Sequence, residues 1–179
     1  TTILADNVSM IPKGVFEAVA PACPRLKRHD MHFNVMQGSD HYFCNRASPR
    51  PRTSDVQAAL RRILAWKGFP RTPFDALEVG FQAFSLYDLA GKRAFLPRCS
   101  ALKSSFFLTP DGILYPCHIW GEPLGTVGRG TAVGDLLNND RARWLRARVQ
   151  ADQCPHCWTP CEAYPSLIEG ALNPLHVEI

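Results

Sequence analysis

The sequence predicts an α/β fold in two parts, a barrel-like parallel α/β segment followed by a small α+β segment built on a β-hairpin. Three observations carry this. A strand, an amphipathic helix and a second strand follow one another in the first 36 residues, the signature of a βαβ unit with a right-handed crossover. Thr109-Pro110-Asp111-Gly112 lies between two apolar runs, a hairpin signal with Pro second and Gly fourth in the turn. Five of the seven cysteines fall in the last 81 residues in an ordered pattern. The expected boundary divides residues 1–92 from residues 93–179.

The elements follow in order. Residues 1–8 read as a strand ending in Asp6-Asn7. Ile11, Val15, Val19 and Ala22 recur at helical spacing, with Pro12 suited to the first turn and Pro21 and Pro24 expected to end the helix. Met31 to Met36 form the second strand, closed by Gln37-Gly38. Residues 46–53 read as a loop, and Ser54 as the N-cap of a helix carrying Val56, Leu60, Ile63 and Leu64. Another helix is expected from Phe74 to about Ala90, with Leu77, Phe81 and Phe84 as its apolar face and Gly91 as its C-cap. In the hairpin, Leu108 is expected to oppose Ile113. A strand or loop around Val127–Val133 then leads to a helix near Asp140–Gln150 and to the run Cys154-Pro-His-Cys157-Trp-Thr-Pro-Cys161.

Composition bounds the function. Hydrophobic residues at 46% and charged residues at 20% suit a globular chain, and a net charge of +4 does not demand nucleic acid. No apolar run approaches the roughly 20 residues needed to span a bilayer. Seven cysteines, odd in number and clustered, do not read as a secreted disulfide framework, so the expected compartment is the reducing cytoplasm.

The cysteines carry the chemistry. Cys99 is followed by Gly112 and, four residues later, Cys117; Cys154, Cys157 and Cys161 follow as C-x2-C-x3-C. The hairpin brings Cys99 and Cys117 to its open end, and the C-x2-C turn presents two more sulfurs. About four thiolates meeting at one point hold an iron–sulfur cluster or a zinc ion. Spacing alone leaves open which four of the five serve. The alternative to a redox cluster is a zinc-stapled, non-catalytic binding module.

These residues resemble the auxiliary-cluster region of radical SAM enzymes, the twitch or SPASM domain. Cys99, Gly112 and Cys117 fit its opening pattern, Val133-Gly134-Asp135-Leu136 resembles its turn before a helix, and Cys154 to Cys161 resembles the closing run of single-cluster members. Upstream, Thr1 to Asn7 and Met31 to Gln37 resemble strands five and six of a partial (β/α)6 barrel. The resemblance implies one auxiliary [4Fe–4S] cluster. Aligning Cys154 and Cys157 with the family's x2 pair prefers the set Cys99, Cys117, Cys154 and Cys157, while Cys157 and Cys161 fit its x3 pair. The family's C-x3-C-x2-C motif is absent, so this chain alone is not expected to cleave S-adenosylmethionine (SAM). The resemblance implies the C-terminal portion of a longer oxidoreductase or maturase. Its upstream half would supply the remaining barrel strands and a second [4Fe–4S] cluster. The other implied partners are a small-molecule or peptide substrate and a flavodoxin- or ferredoxin-type reductant.

Other residues were weighed against plain structural roles. Asn34, at the C-terminal end of the second strand, is a candidate SAM contact, because sites in parallel sheets lie at strand C-termini. Gln37, Ser39, His41 and Tyr42 follow over that end. Cys23 reads as a small buried residue and Cys44 as incidental. His118 and His156 adjoin candidate ligands. Arg46, Arg50, Arg52, Arg61, Arg62, Lys67 and Arg71 form a basic stretch, read chiefly as a solvated face with an anionic ligand or redox partner as the alternative. The same reading applies to Arg141, Arg143, Arg146 and Arg148. Trp158 and Tyr164 are expected to pack over the cluster.

Overall fold

A computed structural model describes residues 2–4, 11–45, 47, 50–93 and 96–172. The expected Asp6-Asn7 strand end and Arg46 lie outside the described residues. The chain divides into two compact units, Thr1–Met36 with Pro49–Leu96, and Gln37–Ser48 with Pro97–Ile179.

In the first unit, β1 (Thr2–Leu4) pairs in parallel with β2 (His32–Asn34), Ile3 opposite Phe33, and α1 (Ile11–Val19) lies between them in sequence. The parallel pair and the helix stop before Pro21 follow the sequence reading. Of the expected apolar face of α1, the Ile11 and Val15 side chains lie outside the described residues. Val19 is exposed, and Phe16 instead sets its ring edge-on against Trp66 at 5.4 Å between centroids. An aromatic ring removes more apolar surface from water than a valine, so seating it decides the rotation of the helix.

The helix α2 (Thr53–Lys67) buries Val56, Leu60 and Ile63 as expected, with Ala59 beside them. Its N-cap is Arg52 rather than Ser54, without a side-chain cap, and Asp55 complements the positive end of the helix instead. Thr72 caps α3 (Pro73–Leu89) through a reciprocal box. Its hydroxyl accepts the Asp75 amide at 3.1 Å, and Asp75 Oδ2 accepts the Thr72 amide at 3.0 Å. At the other end, the Gly91 amide donates to Asp88 and the Lys92 amide to Tyr87, with Gly91 at φ 70°. This double closure needs the left-handed conformation that glycine adopts freely.

The buried face of α3 departs most from expectation. Phe81 is fully buried as predicted, but Leu77 and Phe84 are half-buried and Phe74 is exposed. Asp75, Glu78, Gln82 and Ser85 take the buried positions. The reason lies in β2, which among the described residues has a strand neighbour on one side only. Its carbonyls still require donors. Gln82 Nε2 donates to Phe33 O at 2.7 Å, and Lys67 Nζ donates to Met31 O. Lys67, placed by the sequence in a solvated basic stretch, is 4% exposed and pairs with Glu78 Oε1 at 2.7 Å. Burial lowers its pKa, and the Glu78 charge opposes that shift. Glu78 Oε2 reaches His32 Nδ1 at 2.7 Å, and His32 Nε2 reaches Asn34 Oδ1 at 2.7 Å. Around this network pack Met31, Phe33, Val56, Leu60 and Ile63.

The second unit is built on three antiparallel strands in the order β3 (Phe107–Leu108), β4 (Ile113–Tyr115) and β5 (Gly125–Thr126). The register is one residue from the expected one, since Leu108 opposes Leu114. Thr109 still pairs with Ile113, its amide donating to Ile113 O and its hydroxyl accepting the Ile113 amide. Only Pro110, Asp111 and Gly112 remain in the loop. Gly112 at φ 80° is the left-handed third residue that such a loop needs, and a Cβ there would stand 3.0 Å from Val127 O. Gly125 is equally constrained, since a Cβ would lie 2.7 Å from Leu136 Cδ2.

Three helices complete the unit: α4 (Val133–Asn138), α5 (Asp140–Gln150) and α6 (Pro160–Leu172). The expected turn at residues 133–136 is itself helical, α5 has its expected bounds, and α6 was not predicted. All four α5 arginines expected on a solvated face are engaged, Arg143 by donating to Asn138 O at 2.6 Å and pairing with Asp140. Arg146 donates to Leu102 O and Leu137 O, and Arg141 and Arg148 lie over the Trp144 ring at 4.7 and 4.8 Å. The core gathers Leu102, Leu114, Trp120, Leu124, Leu145 and Val149. Among the described residues, no helix is long and apolar enough to cross a membrane.

Candidate metal centre

The second unit's core also contains the thiols. Cys117 is itself a core residue, 7% exposed, and Cys99, Cys154 and Cys157 pack against the same apolar cluster. The hairpin delivers Cys117 just beyond β4. Cys99 precedes the segment 100–105, which is fixed to α6 where the Ser166 hydroxyl accepts the Ser100 amide at 3.1 Å and the Ser105 hydroxyl donates to Glu162 at 2.7 Å. Cys154 and Cys157 sit in the loop between α5 and α6. His156 within that loop has a left-handed backbone (φ 59°), turning the chain between the two sulfurs. Its ring stands 3.0 Å from Asp152, and His156 is not among the residues packed on the thiol core.

Cys161, the second residue of α6, is exposed and outside this cluster. All seven cysteines are free thiols. Cys23 is exposed, against the expectation of burial, because the chain turns outward after α1 ends. Exposed Cys44 donates its S–H to Asp40 O. Among the described residues, no three His, Cys, Asp or Glu side chains form a group ready to hold a single metal ion.

The electrostatics fit a site that needs an incoming cation. Burial pushes the Cys117 thiol up to about 12, and the Glu162 charge adds to the shift. Burial likewise holds Cys157 well above the ordinary thiol range, reinforced by Cys117, Cys99, Glu162 and Cys154. The Trp120 amide donates to Cys117 Sγ at 3.3 Å, a bond that favours a thiolate but does not offset the burial. Thiolates are the form that binds iron or zinc, and a cationic centre among these sulfurs would supply the missing counter-charge. In chemistry these thiols are the kind of donor that an iron–sulfur or zinc centre takes.

Several residues that the sequence placed over the end of the second strand belong instead to the second unit, with the segment that follows Cys117. His41 stacks on Tyr115 with ring centroids 4.3 Å apart, and its Nε2 donates to Cys117 O at 3.2 Å. Tyr42 and Phe43 set their rings edge-on to His118. His118 is 4% exposed, and burial together with His41 lowers its pKa to about 4. It stands 3.8 Å from Glu162, whose carboxyl burial raises while the Ser105 hydroxyl pulls it back. Ser39, expected to face a ligand, is fully buried and accepts the Phe43 amide at 2.8 Å. Trp120 is the aromatic residue within the thiol-bearing core. Trp158 is buried and Tyr164 half-buried. The His118-Ile119-Trp120 run beside Cys117 was the available signal. In the first unit, Asn34 ends β2 with Oδ1 engaged by His32.

Residues 99–158 match the family model described as SPASM, an iron–sulfur cluster-binding domain. The match covers about a third of the chain, contains Cys99, Cys117, Cys154 and Cys157, and stops short of Cys161. It supports an iron–sulfur cofactor in this unit. No curated protein and no solved structure matches the chain.

Proposed function

We propose that this chain is the C-terminal part of a radical SAM oxidoreductase or maturase, in which residues 93–179 hold an auxiliary [4Fe–4S] cluster through Cys99, Cys117, Cys154 and Cys157. The carrying observation is the convergence of those four thiols on one apolar core while Cys161 stays outside it. The SPASM match over the same residues favours iron–sulfur over the zinc alternative. The parallel β1–β2 pair with a helix between supports reading residues 1–92 as the end of a barrel, to which an upstream half would add SAM and its cluster.

When bound, such a cluster supplies a one-electron acceptor or donor near the substrate. The chain's own residues prepare its surroundings. Leu114, Leu124, Leu145 and Trp120 exclude water, the Trp120 amide favours the anionic sulfur of Cys117, and His41 fixes the Cys117 carbonyl. Four protein thiolates would leave no open iron for substrate, so electron transfer suits the site better than direct ligation. Asn34 is the proposed SAM contact, with its side chain oriented by His32 and Glu78. A flavodoxin- or ferredoxin-type protein is the proposed reductant, a small molecule or peptide the substrate, and the cytoplasm the compartment.

Iron, labile sulfide and zinc per chain, measured after anaerobic purification, test this reading. About four irons and four sulfides are expected. One zinc without sulfide would replace it with a stapled module. The coding sequence upstream of Thr1 tests the radical SAM part, which requires a C-x3-C-x2-C motif there.

A further inference from the structure

Within the first unit, a cavity of about 550 Å³ opens where the short helix Arg28–Asp30 faces the turn between α2 and α3. Its volume is that of a small-molecule pocket. Five of its lining residues are basic or imidazole side chains (Lys27, Arg28, His29, Lys67 and Arg71), against the single carboxylate of Asp75.

Two of those charges are already engaged. Lys67 pairs with Glu78, and Asp75 Oδ2 accepts the amides of Arg71 and Thr72 at 3.0 Å each. Those bonds, together with His29, outweigh the effect of burial and hold the Asp75 carboxyl below its ordinary range. Asp75 therefore stays anionic while it caps α3, one negative charge among the five basic or imidazole side chains of the lining.

Among the described residues, Lys27, Arg28 and Arg71 form no ion pair. Arg28 donates one guanidinium nitrogen to Trp66 O at 3.0 Å and lies 5.5 Å from the Trp66 ring centroid, which holds it against the protein. His29 sends Nδ1 toward Asp75 at 4.0 Å, while its Nε2 is buried without a hydrogen-bond partner among the described residues. A buried ring nitrogen without a partner costs free energy that a ligand oxygen would recover. Beside these groups Phe69, 93% exposed, offers a bare aromatic face.

We infer that this cavity binds a small organic oxyanion, a phosphate or carboxylate held by Lys27, Arg28 and Arg71 with His29 Nε2 as a further partner, its apolar body resting on Phe69. The sign of the lining selects an anion, and the forked arginine donors suit planar or tetrahedral oxyanions. The inference uses no residue of the cysteine centre, so it stands or falls separately from the metal reading.

The test uses the full chain, isotopically labelled and purified with whatever metal it holds, titrated with phenyl phosphate and with inorganic phosphate. Amide shifts should saturate at Lys27–His29 and Gly68–Thr72, with phenyl phosphate the tighter ligand and both weakened by added salt. Arg71→Gln should weaken both by about tenfold, the loss of one charge-assisted bond. Phe69→Ser should remove only the advantage of phenyl phosphate. Lys27→Gln, at a second exposed site, repeats the arginine test independently. Shifts that do not saturate, or binding unchanged in Arg71→Gln and Lys27→Gln chains whose spectra are otherwise native, would overturn the proposal.

Discussion

The two units solve the burial of reactive groups in opposite ways. In the first, the buried charges meet their partners within the fold: Lys67 finds Glu78 and a carbonyl, Glu78 finds His32, and Gln82 finds the Phe33 carbonyl. In the second, four thiols gather on an apolar core, and burial raises the pKa of Cys117 and Cys157, which favours their protonated form. One core is electrostatically closed by its own residues. The other holds thiols whose ionisation burial disfavours. A buried ionisable group without a counter-charge in the fold is therefore more informative about function than one that has it.

The largest expected effect breaks this comparison at its second term. Chelation under anaerobic conditions should remove hydrogen-exchange protection from amides of residues 99–158 while sparing α2 and α3, because ligand convergence is part of folding in such domains. Uniform protection across both units after metal removal would show that the thiol core is self-sufficient. Cys117→Ala and Cys157→Ala should abolish metal occupancy, while Cys161→Ala, Cys44→Ala and Cys23→Ala retain it. Metal analysis of the five variants decides, and equal losses would sink the four-ligand set.

The next effect probes the first term. Lys67→Met removes the cation paired with buried Glu78, which keeps its bonds to His32 and Gln82, and should cost about 3–5 kcal/mol, read from denaturant unfolding followed by far-UV circular dichroism. Combined with Glu78→Gln, the total should fall well short of the sum of the single losses, the sign of a coupled pair. Additive losses would mean that the pair is not a unit. A smaller loss, about 1–3 kcal/mol, is expected from Arg146→Ala, which strips the Leu102 and Leu137 carbonyls of a donor. Lysine at 146 should rescue it only in part, since one ammonium cannot reproduce the fork.

The smallest effect is a pH dependence. Asp75 has a lowered folded-state pKa, so its contribution is fully present above the unfolded carboxylate pKa and is lost as pH falls through the folded value. Acid titration of stability should show a shallower loss in Asp75→Asn than in the parent chain. Identical profiles would remove Asp75 from the account.

Much of this was legible in the sequence, for identifiable reasons. The parallel strands, α5 and the hairpin turn announce themselves through local rules of periodicity, capping and glycine placement. The cysteines were legible because metal ligation demands several of one residue type at short spacings. The buried face of α3 was not, since periodicity counts apolar residues and this face carries Glu78, Gln82 and Ser85 to serve the backbone of β2. Lys67 was hidden for the same reason, as a charge in a run of charges. The helix α6 was overlooked although Thr159-Pro160-Cys161-Glu162 is a helix-start signal, because the cysteine spacing drew the reading toward a loop.

The three-residue loop Pro110–Gly112 also acts as a parity setting. Side chains alternate along β4, so the loop length decides whether Leu114 or its neighbours Ile113 and Tyr115 turn inward. With the present length Leu114 is fully buried and Tyr115 is left to stack on His41. Chains whose loop differs by one residue would exchange the two faces unless a bulge absorbed the change, whereas a difference of two would restore them. Evolution around this turn is thus expected to move in even steps.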